Sequence, residues 1–443
     1  MLVEDASGFQ GEADEIVTPD SEAGVIDFVR RASASATPVT IAGAGTGVTG
    51  GRVPQGGALL SLEKLNSIEI HPGCARVGPG ALLMDLHAAA ARAGQFYPPD
   101  PTETSAAIGG TIATNASGSR SFRYGDTRRH VLRLRVVLMD GRVLDVRRGD
   151  AVDFPVPAIP IPQTTKHTGG YRLKPGMDWI DLFVGSEGTL GIVTEAELRL
   201  LPNPQEFLAG VVFFADDGAC LAAVDAWRDQ TQACMIEYFD SPSLDLLRTR
   251  FPETPDAGAA LLFEEENADA EVWHTRLAAA GALLEDSWFA TTPGDRERFR
   301  RFRHALPELV NAKMRGNGLM KLGSDYAVPI ARNREMLDEY RRVLEQEFPG
   351  EYVIFGHIGD AHLHVNILPD SRPRFERGQE LMLHFARHAV SLGGTVSAEH
   401  GLGKRKAGLL PLQYTNDQIA AMKAVKRRLD PQWLLGRGTL FPV

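Results

Sequence analysis

The fold turns on Ile41-Ala42-Gly43-Ala44-Gly45-Thr46-Gly47-Val48-Thr49-Gly50-Gly51-Arg52-Val53-Pro54-Gln55-Gly56-Gly57. Residues 38–42 read as a short buried strand that runs into this glycine cluster. Gly45 to Gly50 satisfies G-x-G-x-x-G, but the dinucleotide fingerprint also requires a helix to start there. Pro54 and the following glycines lead instead into another strand, so the Rossmann reading fails. A loop this rich in glycine can still present successive backbone N–H groups as a nest for an anion, and phosphate is the natural occupant. A merely tight turn would need only two or three glycines.

Outward from that loop, the 45 glycines of the 443-residue chain cluster again at 109–125, 185–191 and 393–403. Pro98 to Gly118 is long and built mostly of small residues, which suits a wall lying against a flat ligand. Gly185-Ser-Glu-Gly188-Thr-Leu-Gly191 has the same character. The composition, 43% hydrophobic and 23% charged, is that of a globular protein with large cores, and the length suggests two or three domains. A net charge of −10 argues against a nucleic-acid binder. No apolar run is long enough to span a membrane, and the N-terminus lacks a signal-peptide pattern. Three dispersed cysteines suggest reduced thiols and a cytoplasmic protein.

Periodicity predicts strands within 58–78, a helix at 81–93, and a hairpin at Val131–Val146 closed by a two-residue Asp140-Gly141 turn. A strand at 191–200 runs to Pro202 and Pro204, which mark a domain boundary. Beyond it come strand 208–215, helix 217–230, strand 234–239, strand 259–264, a helix near 269–281 and strand 283–289, a ferredoxin-like succession. Helices near 295–313, 331–347 and 374–392 surround a strand pair at 350–368. The expected division is 1–203 as a two-lobed domain, 204–400 as a cap domain, and 401–443 as a segment returning to the first.

Phe355-Gly-His357-Ile-Gly-Asp360-Ala-His362-Leu-His364-Val-Asn366-Ile-Leu is the most unusual stretch. Strict alternation over 361–368 would place His362, His364 and Asn366 on one strand face and Leu363, Val365 and Ile367 on the other. One predicted helix later comes Ser397-Ala-Glu399-His400-Gly401. Histidines and a glutamate in this company suggest a two-His, one-carboxylate site for a divalent metal, zinc or iron(II). Spacing alone does not choose two ligands among His357, His362 and His364.

The three glycine-rich segments, in this order, resemble the FAD domain of the vanillyl-alcohol-oxidase and p-cresol-methylhydroxylase group. With the C-terminal motifs, nearly the whole chain resembles the FAD-linked D-lactate and D-2-hydroxyacid dehydrogenases, a family that includes glycolate oxidase subunits. That resemblance implies an α+β fold: a two-lobed p-cresol-methylhydroxylase-type FAD-binding domain with a ferredoxin-like α/β cap. It implies FAD pyrophosphate binding by Gly43, Ala44, Gly45, Thr46, Gly47, Gly50 and Gly51, with Ala44 where relatives often carry glycine. Pro101, Thr102, Ser105, Gly109, Gly110, Asn115, Gly118 and Gly125 would lie along the cofactor, and Gly185, Gly188 and Ile192 near its adenine half. It makes His357, His364 and Glu399 the ligands of a divalent metal (zinc, with manganese or iron as alternatives), Asn366 a substrate contact and His400 the base. His362 stands where relatives have asparagine, a further candidate for contact with the substrate. Arg303 and Lys321 match positions that bind the substrate carboxylate, a role for which the arginine fork is well shaped.

The expected activity is oxidation of a small anionic D-2-hydroxy acid, D-lactate-like or D-2-hydroxyglutarate-like, with hydride passing to non-covalent FAD. No histidine lies within the glycine loop for covalent attachment. The alternatives are a glycolate oxidase-type flavoprotein subunit and a metallohydrolase, the latter leaving the glycine segments unexplained. A quinone, a cytochrome or an electron-transfer flavoprotein would reoxidise the flavin, a peripheral membrane location and a homodimer both being compatible.

Overall fold

The computed structural model describes residues 1–204 and 206–442. A small parallel sheet opens the structure, with Ala58–Ser61 flanked by Glu15–Val17 and Val39–Ala42. The helix Glu22–Ala34 crosses between the two outer strands. Ser21 caps it by accepting from the Gly24 N–H, and Val25, Phe28, Val29 and Ala32 form its buried stripe. The second parallel connection, residues 43–57, contains no helix. Parallel neighbours usually need a helical crossover; here the glycine loop makes it, and the N–H groups tied within the protein lie in its second half, at Gly50, Val53, Gly56 and Gly57.

A five-stranded antiparallel sheet follows in the order Val143–Arg147, Val131–Val137, Ile192–Arg199, Cys74–Val77, Ile68–His71. The helix Leu83–Arg92 buries Leu83, Leu86 and Ala90. The hairpin turn differs from the two-residue expectation. The Leu138 N–H donates to Arg142 O, so Met139, Asp140 and Gly141 form a three-residue loop with Gly141 at φ +80°. A glycine in the left-handed region closes such loops.

The second half is built on a seven-stranded sheet, ordered Trp288–Phe289, Phe207–Phe214, Ala259–Glu266, Ala233–Asp240, Tyr352–His357, His362–Ile367, Leu322–Gly323. In its first four strands the fourth lies beside the first, the first beside the third and the third beside the second, the split βαβ order of a ferredoxin-like layer. The expected strand at 283–289 shrinks to Trp288–Phe289, because Leu283 to Ser287 turn back on themselves through Asp286 N to Leu283 O and Ser287 N to Leu284 O. Helices Pro293–Gly316, Asn333–Glu347 and Arg372–Ser391 pack around the sheet. Among the described residues no helix is long and apolar enough to cross a membrane.

The last residues return to the beginning. Val39 donates to Leu434 O and accepts from Gly436 N, 2.8 Å each, and Leu434 and Leu435 share a core with Val25, Phe28 and Val29. Between Glu399 and that tail, the chain is fastened to the glycine loop. Thr49 O accepts from both Lys404 N and Arg405 N at 3.0 Å, and Gly403, at φ +54°, lies so close that a β-carbon would sit 2.0 Å from Thr49 O. Only glycine fits there.

Candidate functional site

One cavity of about 1130 Å³ lies between the two halves. Its first wall is nearly free of long side chains: Gly43, Ala44, Gly45, Thr46, Gly47, Gly51, Pro101, Thr102, Gly109, Gly110, Gly118 and Gly188. At Gly47, Gly51 and Gly110 a β-carbon would meet no atom within 4 Å, so the backbone faces open volume. That is a cradle shaped for a ligand lying flat on backbone. Arg52, which sequence reasoning passed over, folds its guanidinium over Gly45; its Nε is buried without a partner.

Six of the residues expected along a cofactor do not line this cavity. Gly50 donates to Asp5 Oδ2 at 2.7 Å, tying the loop to the N-terminal turn. Ser105 bonds Glu103. Asn115 ends the helix Ile108–Thr114 at φ +50°, donating to Asp126 Oδ2 and accepting from Arg128 N. Gly125 and Gly185 take positive φ in tight turns, and Ile192 belongs to the core beside the parallel sheet. Their sequence signal was one of backbone shape and packing.

The opposite wall carries charge. Strands Tyr352–His357 and His362–Ile367 pair antiparallel, setting His357 opposite His362 and Phe355 opposite His364. Leu363, Val365 and Ile367 enter the core, so the alternation aims His362, His364 and Asn366 together. Glu399 arrives from the segment after helix Arg372–Ser391. His357, His362, His364 and Glu399 each bring one donor atom, all within 4.8 Å of one another. His364, whose Nδ1 faces Ser324 O at 3.1 Å, lines the cavity; His362 is wholly buried behind the wall, with neither ring nitrogen hydrogen-bonded.

Buried carboxylates, unforeseen in the sequence, orient these groups. Glu237 lies in a strand whose eight residues are all buried. It takes His357 Nδ1 at 2.5 Å and Arg303 Nε at 2.8 Å. Burial would raise its pKa, but Arg303 and His357 hold the carboxyl well below the usual range. Glu237 and Glu399 in turn raise His357 against the effect of burial. Asp325, fully buried, accepts from Ser397 Oγ (2.8 Å), Glu399 N (3.2 Å) and His400 N (3.0 Å). Its Oδ1 lies 3.3 Å from His362 Nε2 and 3.4 Å from His400 Nδ1. Despite burial, His400 and His362 keep Asp325 ionised. His400 itself is lowered, chiefly by burial and against the pull of Asp325. A half-buried imidazole with a carboxylate 3.4 Å from its Nδ1 is equipped, when neutral, to take a proton at Nε2.

Glu399 is held from the other half of the molecule. Lys166, 1% exposed, reaches Glu399 Oε1, Asp360 Oδ2 (3.4 Å) and Gly118 O (3.0 Å), and Ser117 Oγ donates to Oε1 at 2.7 Å. Lys166 had no signal beyond being a lysine before paired glycines. A charged residue in the apolar run 233–239 was the available clue to Glu237.

Comparison with known proteins agrees with this two-walled arrangement. Residues 13–147 match the model of an FAD binding domain, and residues 203–440 match the C-terminal domain of FAD linked oxidases. The chain is 31% identical to a D-lactate dehydrogenase of Archaeoglobus fulgidus over 96% of its own length and 90% of the relative's. It is also 31% identical to a D-2-hydroxyglutarate dehydrogenase of Xanthomonas citri pv. viticola, over 96% and 89%. To glycolate oxidase subunit GlcD of Bacillus subtilis it is 29% identical, over 98% and 90%. Among solved structures, alkyldihydroxyacetonephosphate synthase superposes with a TM-score of 0.69 over 95% of this chain and 76% of that one. At 16% identity this shows the fold alone, that of the vanillyl-alcohol-oxidase and p-cresol-methylhydroxylase type.

Proposed function

The chain belongs to the family of FAD-linked oxidases, and from that premise we propose that it oxidises a small D-2-hydroxy acid to the 2-oxo acid. The observation that carries the reading is the shared cavity: a flat backbone wall suited to FAD faces the His/Glu cluster, with His400 lining the same space. The proposed division of the chain places the cofactor wall in 1–203, the cap in 204–400, and the returning segment in 401–443.

FAD would lie along Gly43–Gly47, Gly51 and Gly109–Gly110, with Arg52 near its phosphates. A divalent ion would be held by His357, His364 and Glu399. The donor set fits one: it is two imidazoles and a carboxylate, and three protein neighbours crowd Glu399 Oε1 while Oε2 has no donor among the described residues. When bound, the flavin supplies the hydride acceptor and the metal a Lewis acid for the substrate hydroxyl. The protein's own part is to place and deprotonate. Arg303, fixed by Glu237 and by Thr102 Oγ1 at 3.0 Å, and Lys321 attract the carboxylate. His400, held by Asp325, takes the hydroxyl proton as the C2 hydrogen departs.

The test is anaerobic mixing of purified holoenzyme with D- and L-2-hydroxy acids while the flavin absorbance is followed. Bleaching by D enantiomers is expected; faster bleaching by L-lactate than D-lactate, or none by any member, overturns the reading.

A further inference from the structure

Two lysines reach the cavity from opposite segments, and neither meets a carboxylate in an ion pair among the described residues. Lys321 precedes the edge strand Leu322–Gly323 and folds back over Gly323. A β-carbon on Gly323 would lie 3.0 Å from the lysine Cε and 3.1 Å from Asn366 Oδ1, so the lysine and the amide are neighbours. Lys406 comes six residues after His400, on the segment fastened to Thr49. The two ammonium groups feel each other: burial, and then the charge of Lys406, bring Lys321 down to about 8. Lys406 is lowered as well, by burial first and with Arg405 adding to it, while Asp325 opposes.

Asp325 cannot serve as the missing partner, because Ser397, two backbone N–H groups and two histidines already surround it. Asn366 completes the picture. It is fully buried, it lines the cavity, and neither its amide oxygen nor its amide nitrogen has a hydrogen-bond partner. Two cations lining one cavity without a carboxylate partner and a buried amide without a hydrogen bond are each unfavourable alone. An anion entering between them satisfies all three at once. His400 lines the same cavity, so that anion shares its space with the proposed base.

We propose that Lys406 is a substrate-binding residue, a further cation beside Arg303 and Lys321 in an anchor where Lys406, Lys321 and Asn366 grip the substrate carboxylate. This rests on the hydroxy-acid reading above. It adds a residue from the C-terminal segment to a site otherwise drawn from the cap, so carboxylate binding depends on the contact between that segment and the glycine loop.

The test uses pyruvate, the simplest 2-oxo acid of this kind, titrated against oxidised holoenzyme and read from the flavin absorbance change. Pyruvamide serves as the uncharged counterpart. Lys406→Met should weaken pyruvate roughly 10- to 100-fold, the range for losing one hydrogen bond to a charged group. Pyruvamide binding, FAD content and metal content should stay as in the wild type, and Lys406→Arg should recover pyruvate binding to within a few-fold. Equal loss for pyruvate and pyruvamide would show collapse of the pocket and overturn the assignment. So would unchanged pyruvate binding accompanied by a shifted flavin midpoint potential, which would assign Lys406 to the flavin. A wild-type holoenzyme that binds no pyruvate and is reduced by no 2-hydroxy acid removes the underlying reading, and the anchor with it.

Discussion

The two walls of the cavity solve opposite problems. The wall from the first half works by having almost no side chains: Gly47, Gly51 and Gly110 leave open space where others would place a β-carbon. The wall from the second half works by concentrating side chains that are costly to bury, the carboxylates Glu237, Asp325 and Glu399 with His357, His362, His364 and His400. The buried carboxylates are made tolerable by partners, Glu237 by Arg303 and Glu399 by Lys166. Backbone can offer a broad flat surface with fixed N–H donors. It cannot offer a proton acceptor near neutrality or a dense set of metal donors, and those need imidazole and carboxylate. If cofactor binding and chemistry are divided between the walls as proposed, substitutions in one wall should leave the other's ligand in place.

The largest expected effect is on His400. His400→Asn should slow flavin reduction by roughly 10²–10⁴-fold with FAD and metal contents unchanged, the range for losing a general base. Loss of metal along with rate would make His400 a support for Glu399 instead, and a rate within a few-fold of normal would leave it no role. Next comes a reciprocal pair. Glu399→Gln should release the metal, measured by elemental analysis, while the protein stays yellow. Gly110→Leu, in a helix that tolerates leucine, should weaken FAD roughly 10- to 100-fold by filling its space, with metal content and thermal stability intact. If either variant loses both ligands, the walls are one unit.

The smallest effect probes the seam between the walls. His167 joins the two halves, its Nδ1 2.8 Å from Thr395 Oγ1 and its Nε2 3.0 Å from Tyr414 Oη. Burial, then Arg172 and Arg128, pull its imidazole down to about 3. The unfolded chain therefore binds a proton below about pH 6.5 that the folded chain refuses, and stability falls as pH drops through that window. In His167→Gln the difference in unfolding free energy between pH 7 and pH 5 should shrink by up to about 2 kcal/mol, at about 1.4 kcal/mol per pH unit. Denaturant unfolding at the two pH values measures it. An undiminished difference would mean that His167 is protonated within the fold.

Much of this architecture was legible in the chain. Alternation at 361–368 announced a strand with His364 and Asn366 on one face, because a period of two leaves a strand no other arrangement. The missing helix after Gly50 separated this glycine loop from a Rossmann turn, since Pro54 and the paired Gly56 and Gly57 fall where the interior of such a helix would run. Local signals failed where a residue's importance comes from its distant neighbours. Asn115 and Gly125 carried the glycine-segment pattern yet serve turns, as backbone shape and ligand contact leave the same trace in sequence.

What the sequence determined by itself was therefore the elements and the kinds of chemistry available: a backbone nest, a run of histidines, and a glutamate–histidine pair. Only the tertiary structure decided which of them meet. Lys166 and Ser117 lie more than two hundred residues from Glu399, Arg303 lies 66 residues from Glu237, and Lys404 and Arg405 dock on Thr49 across the whole chain. Periodicity reports which face of one element is buried. It carries no information about which buried face will lie opposite, because that is set by how sheets stack and how the last forty residues return, and the pairing of charges follows from that packing.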